Sequence, residues 1–385
     1  MMAEKTATER ASTMTELFVK ARDNLKQKGV ERQLPSQSNY HASAQANREL
    51  LDSIFVQTRF LDPNREYQEG SQLTEIRIDP LTGRTSRILN FPLRIPPKPD
   101  LDPLVNTSLK MGCPFCPEVV EKSTPKFPPD LVPEGRIRVG EALVFPNMFP
   151  YDTYSAVGIF SGRHFVPLPE FTQEILADGF RACVEFFRRA QGSQRLYGSL
   201  NWNYMPLSGG SIVHPHIQVI AGDLPTNYTR ETLEAGKRYV EENGSLFWAD
   251  LLKAEQQAGE RYIGATGPVQ WLASFAPMGY MDLLAVFPGC ETIGDLTSHE
   301  LQEYARGLLR VFTYLDGKGF WNFNMALYSG VAGDASTWTH ARLVPRYATP
   351  PLGTSDMRYA EVLHRETLAI VKPEDVCREL RGMLE

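Results

Sequence analysis

The chain has 385 residues, 42% of them hydrophobic, and its 40 Lys and Arg against 46 Asp and Glu give a formal net charge of −6. That balance argues against a duplex nucleic-acid binder, which presents a basic face, but leaves room for a small anionic ligand in a locally basic pocket. No run approaches the ~20 apolar residues of a membrane span, and the acidic, apolar-poor start of the chain does not read as a leader peptide, so neither nucleic acid nor membrane is an expected partner.

Residues 1–70 read as a helical extension. In "STMTELFVKARDNLKQKG", Thr13 is placed as N-cap with Glu16 three residues on, and Gly29 ends the pattern. "SAQANRELLDSIFVQTRF", residues 43–60, is a second helix candidate. "QLTEIRIDPLTGRTSRILNF" then reads as a hairpin, because "DPLTG" is turn chemistry between two alternating runs. The proline-rich "PLRIPPKPDLDP" suits an extended surface connector.

From residue 137 a pattern occurs twice. Strands "IRVGEALVFP" and "YSAVGIFS", a helix in "LPEFTQEILADGFRACVEFFRRAQG", strand "YGSLNWNYMP" and a strand opening at His214 make the first copy. Strands "VQWLASFAP" and "MDLLAVFP", a helix in "LTSHELQEYARGLLRVFTYLDG", strand "FWNFNMALYSG" and a last strand at "THARLVP" make the second. The pattern predicts an α+β fold of two duplicated half-domains, each an antiparallel sheet with a long helix. The half-domains are expected at residues 71–225 and 226–385. His340-Ala341-Arg342 stands in the second where His214-Pro215-His216 stands in the first, so only the first half keeps two histidines.

Two motifs could carry chemistry. In "GGSIVHPHIQVIAGDLP", His214, His216 and Gln218 share one face of an extended strand, with Ile217, Val219 and Ile220 as apolar packing behind. In "MGCPFCPE", Cys113 and Cys116 are the only closely spaced pair among five cysteines, an odd count that disfavours a disulfide framework and points to the reducing cytoplasm. The pair could be a metal knuckle, a redox couple or plain core cysteines. Pro114 and Pro117 favour a tight turn, which suits the knuckle. A tetrahedral zinc site would need two more ligands, with His164 and the HPH histidines as candidates.

"CPFC", "FPNMFPY", "FSGRHFVPLPE" and "NWNYMPLSGGSIVHPHIQ" together resemble the galactose-1-phosphate uridylyltransferases, a branch of the histidine-triad superfamily, over about residues 72–385. The resemblance implies that His216 is the nucleophile that accepts a nucleotidyl group. It implies one structural Zn2+ per chain, held by Cys113, Cys116, His164 and His214. Gln218, the second catalytic position, would bond the phosphoryl oxygens. Ser211 and Asn203 would contact phosphate, Asn147 would border the nucleoside, and Arg94 and Lys98 would sit near the phosphates. Donors would be a nucleotide sugar or other nucleotide; acceptors a sugar phosphate or inorganic phosphate. The oligomeric state is left open between a single chain and a homodimer.

The chemistry of these residue types agrees. A neutral imidazole is a nucleophile at pH 7, and a covalent intermediate splits one hard step into two. A glutamine where hydrolytic relatives carry a third histidine favours transfer. Departures also occur. Only His340 remains of a late histidine pair that serves a second metal in the family, and "TSDMRYAEVLHRETL" lacks the family's hexose-contacting lysine, tyrosine–glutamate pair and glutamine. Asp356 and Leu368 fall at the lysine and glutamine positions. The rivals are a phosphorylase using inorganic phosphate, of the ADP-sugar or dinucleoside polyphosphate type, and a non-catalytic nucleotide-binding relative.

Overall fold

The computed structural model describes residues 50–89 and 95–384. The helix expected over residues 12–29 lies outside them. The second helix candidate is corrected from Asp52 onward, because that stretch is strand β1 (Asp52–Asp62). β1 turns through a 3-10 segment at Pro63–Arg65 into β2 (Gln68–Ile78), its antiparallel partner along the full length. The Asp62 side chain starts that turn by accepting from the Asn64 amide at 2.9 Å. Ile54, Phe55, Val56, Thr58 and Phe60 favour an extended backbone, and here pairing overrides helical spacing. The hairpin expected around "DPLTG" is present, with β3 (Thr85–Ile88) on β2.

The segments α1 (Asp102–Met111) and α2 (Val120–Ser123) lead into the body. Its first half holds β4 (Ile137–Val139), β5 (Ala142–Pro146), β6 (Tyr154–Ile159), α3 (Gln173–Gln191), β7 (Tyr197–Tyr204) and β8 (His216–Gly222). The expected single strand over residues 137–146 is a tight hairpin at Gly140, whose φ of +54 suits glycine. Two helices not read from the sequence follow, α4 (Asn227–Asn243) and α5 (Phe247–Ala258). The second half holds β9 (Tyr262–Thr266), β10 (Val269–Ala273), β11 (Leu283–Val286), α6 (Ser298–Gly317), β12 (Phe323–Tyr328) and β13 (His340–Pro345). The short β14 (Ala348–Thr349) and β15 (Thr354–Ser355) pair with each other, β16 (Thr367–Ala369) joins β3, and α7 (Pro373–Leu384) ends the chain.

All ten strands from β4 to β13 form one antiparallel sheet in the order β4-β5-β6-β8-β7-β12-β13-β11-β10-β9. The order mirrors itself about the β7–β12 pair, so the two copies share a continuous sheet and join at Asn203 opposite Asn324. α3 and α6 pack together against one face. Thr172 and Thr297 cap these helices, the latter in a reciprocal box with Glu300. Each helix has a glycine where a ring needs room. A Cβ on Gly179 would lie 2.3 Å from the Phe160 ring, and one on Gly307 would lie 2.3 Å from Trp271.

Alternation sends Val144, Ala156, Ile217, Val219, Leu200 and Trp202 into this helix-covered core. The opposite face is covered at its two ends and open between them. At one end Leu143, Phe145, Val157 and Ile159 pack against the loop holding Cys113 and Phe115. At the other, α5 seats Phe247, Trp248 and Leu251 on Leu272, Leu284 and Val286. Among the described residues no helix is long and apolar enough to cross a membrane.

Candidate active site

β6 runs out into residues 160–164, and the chain enters β8 through residues 213–215, so sheet pairing brings three distant segments together. Cys113, Cys116, His164 and His214 converge, with one ligand atom from each within 4.8 Å of all the others. Cys113 Sγ lies 3.8 Å from His214 Nδ1, and Cys116 Sγ lies 3.4 Å from His164 Nδ1. A tetrahedral zinc with ordinary Zn–S and Zn–N bonds requires N···S edges of about 3.6 Å, and the two distances bracket that value. His214 Nε2 donates to the Ser161 carbonyl at 2.8 Å, which leaves the Nδ1 lone pair for a metal. Burial, with the Cys113 charge beside it, pushes the Cys116 thiol up to about 12, and burial pushes His214 down to about 4. A divalent cation reverses the first of these penalties by favouring thiolate. The four residues fit zinc.

His216 opens β8, two residues beyond His214. Its Nδ1 donates to the His214 carbonyl at 2.8 Å, which fixes the ring and the tautomer and leaves the Nε2 lone pair free. Burial lowers its pKa, disfavouring the charged ring. The Phe115 ring stands edge-on at 5.4 Å. The Cys/His cluster and the HPH histidine are therefore joined through two residues of backbone, from His214 to His216.

Gln218 lies on the same face of β8, half-buried, with Asn201 opposite it on β7. Ser211 is exposed in the loop between β7 and β8. Met205 opens that loop at φ +69, and Gly210 fits tightly, since a Cβ there would lie 2.8 Å from the Asn203 carbonyl. Asn147 caps its own turn by accepting from the Phe149 amide at 3.0 Å. Its backbone bonds Ser155, four residues along β6 from the partner of His216, so it stands about 13 Å away along the strand. Lys98 is not beside His216. Its ammonium pairs with Asp316 at 2.7 Å, at the end of a helix on the other face of the sheet. Arg94 lies outside the described residues.

Two residues of the second half, Asn324 and Arg346, were not singled out from sequence, and Asp356 was singled out only as a departure from the family pattern. Asn324 donates through Nδ2 to Asn203 Oδ1 and to the Ser208 carbonyl, both at 2.7 Å. Its Oδ1 accepts from Arg346 at 2.8 Å, and Arg346 is held by both oxygens of Asp356 at 2.7 and 2.8 Å. Arg346 can only donate and a carbonyl can only accept, so the Asn324 amide has one possible orientation. The repeated Asn-aromatic-Asn of "NWN" and "NFN" was the available signal for Asn324; Arg346 had none. The network floors a cleft of about 350 Å³ on the open face, also lined by Tyr280, Tyr347, Arg358 and Glu361.

The second half keeps a relic of this arrangement. His340 Nδ1 donates to the carbonyl two residues back, that of Trp338, at 3.1 Å, as His216 does with His214. Its Nε2, however, is capped by the Tyr228 hydroxyl at 2.9 Å, and Trp248 lies over the ring at 4.3 Å. Arg342, on the next inward position, is paired with Asp282. Helices α4 and α5 thus close this half-site, and burial pushes His340 down to about 3.

No family model matches the chain. An uncharacterized protein of Archaeoglobus fulgidus is 30% identical over 310 residues, covering 80% of this chain and 92% of that protein. Among solved structures, a GalT-like protein of Arabidopsis thaliana gives a TM-score of 0.62 at 18% identity, over 80% of this chain and 99% of the other. An ADP-glucose phosphorylase of the same plant, with bound ADP-glucose, gives 0.62 at 17%, over 80% and 98%. A uridylyltransferase gives 0.60 at 18%, over 80% and 98%. At these identities the structural likeness is one of fold.

Proposed function

We propose, for a chain that belongs to one family with the archaeal protein and has the galactose-1-phosphate uridylyltransferase-like fold, that it moves a nucleoside monophosphate between two phosphates through His216. The observation that carries this is the His216 ring, held through Nδ1 with Nε2 free. In the first step Nε2 attacks the α-phosphorus of a nucleotide donor. A P–N bond forms, the P–O bond to the leaving phosphate breaks, and the electron pair leaves with that phosphate. In the second step an acceptor phosphate oxygen attacks, the P–N bond breaks, and the imidazole is neutral again. Gln218 and Ser211 would hold the phosphoryl oxygens, and Asn203 would face them from β7; the Gly209 and Gly210 amides already donate to the Pro206 and Met205 carbonyls, at 2.9 and 3.3 Å. Zinc on the four-residue cluster would serve as a structural clamp, because four protein ligands leave no open position.

The acceptor reading follows the C-terminal segment. Asp356 is engaged by Arg346, while Glu361 bonds the Leu368 amide and pairs with Arg358, so neither carboxylate is free to bind hexose hydroxyls. Sites that recognise hydroxyls leave buried polar groups for them. We therefore expect an acceptor other than galactose-1-phosphate, with inorganic phosphate foremost. The test is intact-protein mass after incubation with a panel of nucleotide sugars, then chase of the adduct with acceptors. An acid-labile nucleoside-monophosphate increment, discharged faster by phosphate than by galactose-1-phosphate, is the expected result. No adduct with any donor would remove the proposal, and preferential discharge by galactose-1-phosphate would remove the acceptor reading.

A further inference from the structure

The edge strand β4, helix α3 and the start of α6 border a groove of about 570 Å³ on the helix-covered side of the sheet, away from the His216 face. Six cations line it, Lys126, Arg136, Arg138, Arg181, Arg188 and Arg189, against the carboxylates Glu121, Glu134 and Glu185. Asp178 adds a fourth carboxylate by pairing with Arg181. Six against four leaves an excess of two positive charges, in a chain whose formal charge is −6. The carboxylates are unevenly shared. Arg136 and Arg138 both hold Glu121, and Arg189 holds Glu134 and Glu185. Arg188 donates to the carbonyls of Gly294 and Leu296, at 2.8 Å each. Among the described residues neither Arg188 nor Lys126 pairs with a carboxylate. Arg136 is 6% exposed, and its Nε is a buried donor with no partner, a state native structures seldom leave unanswered. Ser298, the first residue of the 20-residue α6, lies on the same lining, so the positive end of that helix adds to the field.

We propose that this groove is a second anion site, separate from the His216 cleft, for a small molecule carrying two or more phosphate groups. A cleft lined by one sign of charge focuses potential and concentrates the opposite ion. The apolar floor, Val184, Leu296 and Leu301, is already fully buried, so the groove offers a ligand charge and little apolar area. Its cations come from the segment before β4, from β4 itself and from α3. Such a spread suits an extended polyanion better than one compact ion, and guanidinium forks take phosphate oxygens in pairs. The volume falls within the roughly 300–1,000 Å³ of small-molecule pockets. The proposal does not depend on the chemistry at His216.

Titration calorimetry of the full chain with inorganic pyrophosphate, at fixed ionic strength, tests this. The wild type is expected to bind saturably, and Lys126→Glu with Arg188→Gln to raise the dissociation constant about tenfold or more, the loss of one bond to a charged group. Arg188 also holds two carbonyls, so the double variant could fail to fold; Lys126→Glu alone, at an exposed side chain, then carries the same expectation. Lys253→Gln, an exposed lysine on α5 across the sheet, should bind as the wild type does. Orthophosphate should bind about tenfold more weakly than pyrophosphate. Pyrophosphate affinity that the groove variants leave unchanged would assign the binding to the His216 cleft and overturn the proposal. A wild type that fails to bind, or that binds orthophosphate equally well, would overturn it too.

Discussion

Replacing Asn324 by alanine removes the link between the halves. The side chain makes two neutral hydrogen bonds, to Asn203 and the Ser208 carbonyl, and one charge-assisted bond from Arg346. Neutral bonds contribute about 1 kcal/mol each and a bond to a charged group about 2 kcal/mol, a gross loss of about 4 kcal/mol. Asn324 lines an open cleft, so water will replace part of this, and a net loss of about 2 kcal/mol is expected. At no more than roughly 2–4 °C per kcal/mol for a large domain, the melting midpoint should fall by about 5 °C. The loop anchored at Ser208 should loosen as well, so nucleotidylation of His216 should slow more than the stability change alone explains. Calorimetry and single-turnover adduct formation, well below the melting range, read the two effects separately. A variant that melted within about a degree of wild type and formed adduct at the wild-type rate would refute the assignment of Asn324 as the link.

Cys113→Ser should lower both metal content, by plasma emission analysis, and thermal stability, because binding a structural zinc is folding free energy. His216→Ala should fold with its zinc and form no nucleotidyl adduct, whereas His214→Ala should lose metal and adduct together; mass spectrometry under native and denaturing conditions separates them. Burial raises the pKa of Glu374, but Arg77 and Arg261 outweigh it and hold the carboxyl at about 2. Its contribution to stability is therefore present above its ordinary value near 4.5 and lost as pH falls toward 2. Glu374→Gln should be less stable at neutral pH and lose less on acidification over that window, measured as denaturant midpoint against pH.

Much of this molecule could be read locally. Strand alternation around residues 137–221 and 269–345 set out the duplication, because a half-buried sheet enforces period two whatever the rest of the chain does. The prolines around Cys113 and Cys116 and the spacing of His214 and His216 pointed to a metal knuckle and a shared strand face, since turns and strands are built from neighbouring residues. The resemblance then selected His164 from the remaining histidines. Residues 52–62 went the other way. Their apolar positions satisfied a helix and a strand alike, and the partner strand, 6 residues on from Asp62 and 26 from Asp52, decided for the strand. Lys98 could not be placed from its neighbours, because Asp316, its ion-pair partner, is 218 residues away. Only the tertiary structure could put Cys113 beside His214, 101 residues apart, or Asn203 beside Asn324, 121 apart. It alone closed the second half-site with Tyr228 and Trp248. Contacts across such distances arise from sheet order and the pseudo-two-fold axis, and no local period encodes which strand lies next to which.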